Sequence, residues 1–105
     1  MAAMNINAKQ YEELVLGSKP VLVDFWAPWC TYCRRINPAL DKIADSREDV
    51  LVVKVNIDEE PELAQQEQIE VIPTLVVYKD GFELGSIVAP ESKARIDEFL
   101  REALQ

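Results

Sequence analysis

The 105-residue chain contains two cysteines, Cys30 and Cys33, two residues apart in the run Trp26-Ala27-Pro28-Trp29-Cys30-Thr31-Tyr32-Cys33. An apolar, strand-like stretch ends at Trp26 and a helix-like pattern begins near Cys30. Both thiols therefore fall at the amino end of a helix, where unpaired backbone N–H groups and the helix dipole favour a thiolate. That placement suits thiol–disulfide exchange. Cys30, nearer the helix start, is the candidate attacking thiolate; Cys33, one turn deeper, can reach its sulfur in a mixed disulfide and release the reduced substrate. The chain has no histidine, so acid–base work falls to a carboxylate, a lysine or the second thiol. Asp24 is the candidate, as the one charge in a run that should be buried. Burial raises a carboxyl pKa and would let Asp24 exchange protons with Cys33 near neutral pH. The competing reading is a carboxylate paired with Lys54 on a neighbouring strand. The two overlap, because Lys54 could tune Asp24.

The elements that must position these groups can be read from pattern. Asn7 and Gln10 have the spacing of a capping box at the start of a helix over about residues 8 to 16, closed by Gly17, with a possible short strand near Ala3 to Ile6. Val21 to Trp26 is apolar on both alternating faces except at Asp24, the pattern of a central strand covered on both sides. Ile36, Leu40, Ile43 and Ala44 recur at helical spacing, predicting one helix from near Cys30 to about Asp45. Pro38 lies inside it and should kink it without ending it. Val50 to Asn56 is a second buried strand, parallel to the first. Pro61 opens a short helix to about Glu67, with Glu59, Glu60 and Glu62 near its start. Thr74 to Lys79 and Phe82 to Val88 form a hairpin turned at Asp80-Gly81. Ser92 caps a last helix whose Ile96, Phe99, Leu100, Ala103 and Leu104 form one apolar stripe. The outcome is an α/β chain, a mixed sheet with helices on both faces.

Length and composition narrow the function. Residues 1–105 read as a single domain large enough to fold without disulfide staples. A bridge closing so short a loop adds little stability, so function explains the cysteines better than scaffolding. The net charge of −8, from 19 acidic and 11 basic residues, argues against nucleic acid or an anionic membrane as partner. Met1 to Asn7 show neither a basic start nor an apolar run, and no segment approaches the roughly 18 to 20 apolar residues of a membrane span. The expectation is a soluble, cytoplasmic protein, where a cysteine pair is catalytic, redox-sensing or metal-binding.

Val23-Asp24-Phe25-Trp26-Ala27-Pro28-Trp29-Cys30-x-x-Cys33, Pro38, Lys54-Val55-Asn56-Ile57-Asp58, Ile72-Pro73-Thr74 and the Asp80-Gly81 turn resemble the thioredoxin family in order and spacing, across nearly the whole chain. The resemblance implies the thioredoxin fold, a central mixed β-sheet of four to five strands flanked by four α-helices. It implies a monomeric protein-disulfide reductase whose redox centre is the Cys30–Cys33 disulfide, with no metal or other cofactor. Its partners would be a thioredoxin reductase and disulfide-containing proteins. Asp24 takes the proton-exchange role. Pro73 is cis and faces the cysteines, against the general preference of proline bonds for trans. Trp29, Ile72, Pro73, Val88 and Ala89 form the docking surface, where Val88 could equally be ordinary surface; Trp26 packs beneath the site, and Lys54 and Pro38 support it. Three positions depart from the family pattern. Thr31-Tyr32 replace the usual Gly-Pro where the motif meets substrate and sets the reduction potential. Ala89, followed by Pro90, stands where a glycine usually lets substrate backbone approach. Pro28 replaces a variable, often polar residue. An oxidase or isomerase on the same fold, and metal or iron–sulfur binding by the pair in a dimer, are the alternatives; a structural binding module would not need this arrangement.

Overall fold

The structure is a computed structural model and describes residues 3–105. Its elements run β1 (Met4–Asn5), α1 (Ala8–Val15), β2 (Val21–Trp26), α2 (Thr31–Arg35), α3 (Asn37–Ser46), β3 (Leu51–Asn56), α4 (Pro61–Gln66), β4 (Thr74–Lys79), β5 (Phe82–Val88) and α5 (Lys93–Ala103). The strands form one sheet in the order β1-β3-β2-β4-β5. β1 and β2 lie parallel to β3, and β4 is antiparallel to both β2 and β5. β2 thus sits at the centre with a neighbour on each side. Its continuous apolar run has a reason: Val21, Leu22, Val23 and Phe25 are all buried, alternating between two cores.

One core joins Leu22, Val52, Leu75 and Val77 to Ile36, Leu40 and Ile43 and to Ile96, Phe99 and Leu100 of α5. The other joins Val21, Val23, Phe25, Val53 and Val55 to Tyr11 of α1 and Leu63 of α4. Each such side chain contributes about 1.5–3 kcal/mol by leaving water, so the sheet is held from both faces. Side-chain alternation places Asp24 with Leu22, on the face covered by α3 and α5.

Local signals close the elements. The capping box at α1 is formed, with Gln10 N–H donating to Asn7 Oδ1 at 2.9 Å and Asn7 N–H to Gln10 Oε1 at 2.8 Å. Ser92 caps α5 by accepting the Arg95 N–H at 3.1 Å. Asp80 and Gly81 both have positive φ, 54° and 83°, as a two-residue hairpin turn between right-twisted strands requires.

The helix predicted from Cys30 to Asp45 is interrupted at the single residue Ile36, which keeps helical φ and ψ of −86° and −7°, and so runs as α2 and α3. With that kinked helix counted once, four helices flank the sheet among the described residues, as expected. Pro38 lacks the N–H that would bond to the Arg34 carbonyl, and its ring crowds that carbonyl. The chain ends α2 at Arg35 and restarts at Asn37, which puts Pro38 in the first turn of α3, where a missing N–H leaves no bond unmade. Among the described residues no helix is long and apolar enough to cross a membrane.

Candidate functional site

Cys30 occupies the N-cap position of α2 in extended conformation, its Sγ accepting the Cys33 N–H at 3.1 Å. A disulfide joins the two cysteines, whose Cα atoms are 5.3 Å apart. Both are buried unequally, Cys30 at 8% exposure and Cys33 at 1%. With Ala27 they form a small apolar cluster, against which Trp26, Tyr32, Ile57 and Ile72 pack.

The loop before β4 closes on this pair. The Ile72–Pro73 peptide is cis, and the Ile72 carbonyl oxygen lies 3.9 Å from Cys30 Sγ. Ala89 N–H donates to the Pro73 carbonyl at 2.8 Å, and Val88 pairs with Thr74 in the β4–β5 ladder. Ile72, Pro73, Val88 and Ala89 are thereby brought to one edge of the cysteine pair. Val88 and Trp29 are exposed, and the Trp29 indole N–H is fixed by Asp58 Oδ2 at 3.0 Å. Thr31 is exposed on the first turn of α2. Tyr32 is half-buried, and its hydroxyl donates to the Pro90 carbonyl at 2.8 Å, so its polar end meets the neighbouring loop. Pro38 is exposed in the first turn of α3, where it shapes the helix break.

Asp24 is completely buried, and neither carboxylate oxygen has a hydrogen-bond partner. Desolvation drives its pKa from 3.8 up to about 7, opposed by the positive charge of Lys54. The two residues are register partners on β2 and β3, but the ion pair expected as one reading of Asp24 does not form. Lys54 Nζ donates instead to Asn37 Oδ1 at 2.9 Å and lies 4.5 Å from the Trp26 ring centroid. Trp26 in turn donates its indole N–H to Asn5 Oδ1 at 2.8 Å. Asn37 and Asn5 were not singled out in the sequence, while Asp58 was read only as part of the Lys54–Asp58 match and Pro90 only as the residue after Ala89. A helix-start Asn beside a proline is a weak cue for Asn37, and nothing local marks the others.

Compared with known proteins, the chain matches the Thioredoxin family model over residues 2–102. The chain belongs to the thioredoxin family. Thioredoxin 1 of Synechococcus elongatus is 44% identical over 105 residues, covering 99% of this chain and 98% of its own length. Thioredoxin of Alicyclobacillus acidocaldarius is 38% identical, covering 99% and 100%. Among solved structures, Malassezia sympodialis thioredoxin superposes with a TM-score of 0.88 at 30% identity, covering 99% of this chain and 92% of that one. As a thioredoxin, the chain is a thiol–disulfide oxidoreductase that acts on protein disulfides through a redox-active cysteine pair.

The departure at Ala89 has a visible cost in this thioredoxin. Its φ is +44°, in the left-handed region that disfavours any side chain with a Cβ by about 1–2 kcal/mol. Ala89→Gly is expected to raise stability by about 1 kcal/mol, or roughly 4 °C or more in Tm, and to lower KM for a protein disulfide by removing a methyl beside Pro73. Calorimetry and steady-state kinetics check both; a lower Tm would show that the strain is not relieved.

Proposed function

We propose that this thioredoxin works as a general protein-disulfide reductase, with Cys30 attacking and Cys33 resolving. The observation that carries this order is the N-cap bond: Cys30 Sγ receives a backbone N–H at the start of α2, while Cys33 lies beneath it at 1% exposure. On reduction the Cys30 sulfur lies where a backbone N–H at the helix start already points at it, an arrangement that favours the thiolate.

The Cys30 thiolate attacks one sulfur of the substrate disulfide, and the first substrate thiolate leaves. Cys33 gives its proton to the Asp24 carboxylate and attacks the Cys30 sulfur; the second substrate thiolate leaves and is protonated. The substrate gains two electrons and two protons, and the pair closes as the Cys30–Cys33 disulfide. A carboxyl near pKa 7 suits this exchange, because it accepts and returns a proton at neutral pH. Trp29, Thr31, Tyr32, Ile72, Pro73, Val88 and Ala89 form the docking face, where the Ile72 backbone is open to an extended peptide. A thioredoxin reductase restores the dithiol, and the protein acts as a monomer in the cytoplasm.

The equilibrium potential of the pair tests the direction of the reaction, followed by Trp26 and Trp29 fluorescence in defined thiol–disulfide buffers. A value near about −270 mV is expected, the range of thioredoxin. A value of about −180 mV or higher assigns oxidase or isomerase work instead. If no disulfide forms, the redox reading fails and metal binding replaces it.

A further inference from the structure

Asp24 and Lys54 stand opposite each other on adjacent parallel strands, both buried, and such neighbours ordinarily form an ion pair. Here the carboxylate is unpartnered. The ammonium is held at 2.9 Å by Asn37 Oδ1, at the first position of α3, and at 4.5 Å from the Trp26 ring centroid. The helix break imposed by Pro38 is what starts α3 at Asn37. We infer that Asn37 is a positioning residue that withholds the Lys54 ammonium from Asp24 and so keeps the carboxyl unpaired.

The consequence rests on the proton-exchange reading of Asp24. An ammonium within about 4–6 Å holds a carboxyl ionised and lowers its pKa by about 1–3 units, which makes it a weaker base toward Cys33. Other charges do not replace Lys54. On α2 and α3, Arg34, Arg35, Lys42 and Asp45 are exposed, and Asp41 accepts the Ala3 N–H at 3.0 Å. On α5, Lys93 pairs with Asp97, and Arg95 with Glu98 and Glu102. The β4 partner of Asp24 is Leu75; on α2, Cys33 is held in the disulfide and the Tyr32 hydroxyl donates to the Pro90 carbonyl.

The test is a 13C NMR titration of the Asp24 carboxyl in the oxidised, full-length protein, for wild type, Asn37→Ala and Asn37→Asp. With alanine the ammonium loses its acceptor and turns to Asp24, so the midpoint is expected to fall by about one unit or more. With aspartate the ammonium keeps a stronger acceptor, and the midpoint stays or rises. A midpoint unchanged or raised by Asn37→Ala, or lowered equally by both variants, overturns the inference; general loosening of α3 would move both the same way. Single-turnover release from a mixed disulfide on Cys30, measured against pH, separates the two readings. If the midpoint falls in Asn37→Ala but the resolution profile does not follow it, Asn37 positions Lys54 as inferred and the proton-exchange reading of Asp24 fails.

Discussion

Cys30→Ser is expected to abolish turnover of a protein disulfide, while Cys33→Ser is expected to abolish turnover but accumulate a stable mixed disulfide. Serine cannot form a disulfide and is not ionised at neutral pH, so the first variant loses the covalent step altogether, by about three orders of magnitude or more. The second keeps the attacking sulfur at the helix start and the N–H of residue 33 that points at it. It lacks only the group that breaks the intermediate. The two variants therefore differ qualitatively, in whether protein and substrate migrate together on a non-reducing gel. An adduct formed by Cys30→Ser and not by Cys33→Ser would falsify the assigned order. Burial argues against that reversal, because a substrate sulfur must approach in line with the attacking one, and Cys33 is covered by the cluster that Cys30 edges.

Much of this arrangement was legible in the sequence, for physical reasons that differ by element. A strand buried on both faces must be apolar throughout, so Val21 to Phe25 marked the sheet centre and made Asp24 conspicuous. The Asp80-Gly81 turn and the Asn7–Gln10 box are local chemistry, decided within four residues, and both form as read. The helix break at Ile36 was hidden because Ile36, Leu40 and Ile43 all reach the core, preserving the apolar period while Pro38 interrupts the backbone bonds. The destination of Lys54 was hidden for another reason. Register set it opposite Asp24, but a long side chain chooses among acceptors within reach, and Asn37 comes from a separate helix. Left-handed backbone at Gln68 and Ala89 carries no glycine to announce it. The cis bond before Pro73 followed from family resemblance alone, since proline chemistry by itself favours trans.

The buried charge makes a further expected result large: Asp24→Asn should stabilise the oxidised protein by up to about 4 kcal/mol at pH 8 and by nothing near pH 3. The folded carboxyl has its pKa raised from 3.8 to about 7, so between those values the native state holds a proton that the unfolded chain has released. Stability contributed by the protonated group is fully present below about pH 4 and is lost as pH rises through about 7. A shift of roughly three units, at 1.36 kcal/mol each, sets the size of the loss. Asparagine has nearly the same shape and cannot ionise, so its variant should show no such decline. Guanidinium unfolding of both proteins at pH 3, 5, 7 and 8 reads the difference; parallel curves would mean that the group is not shifted in the fold. On the proposed role of Asp24 as proton acceptor for Cys33, the same substitution should also slow release of the second substrate thiolate.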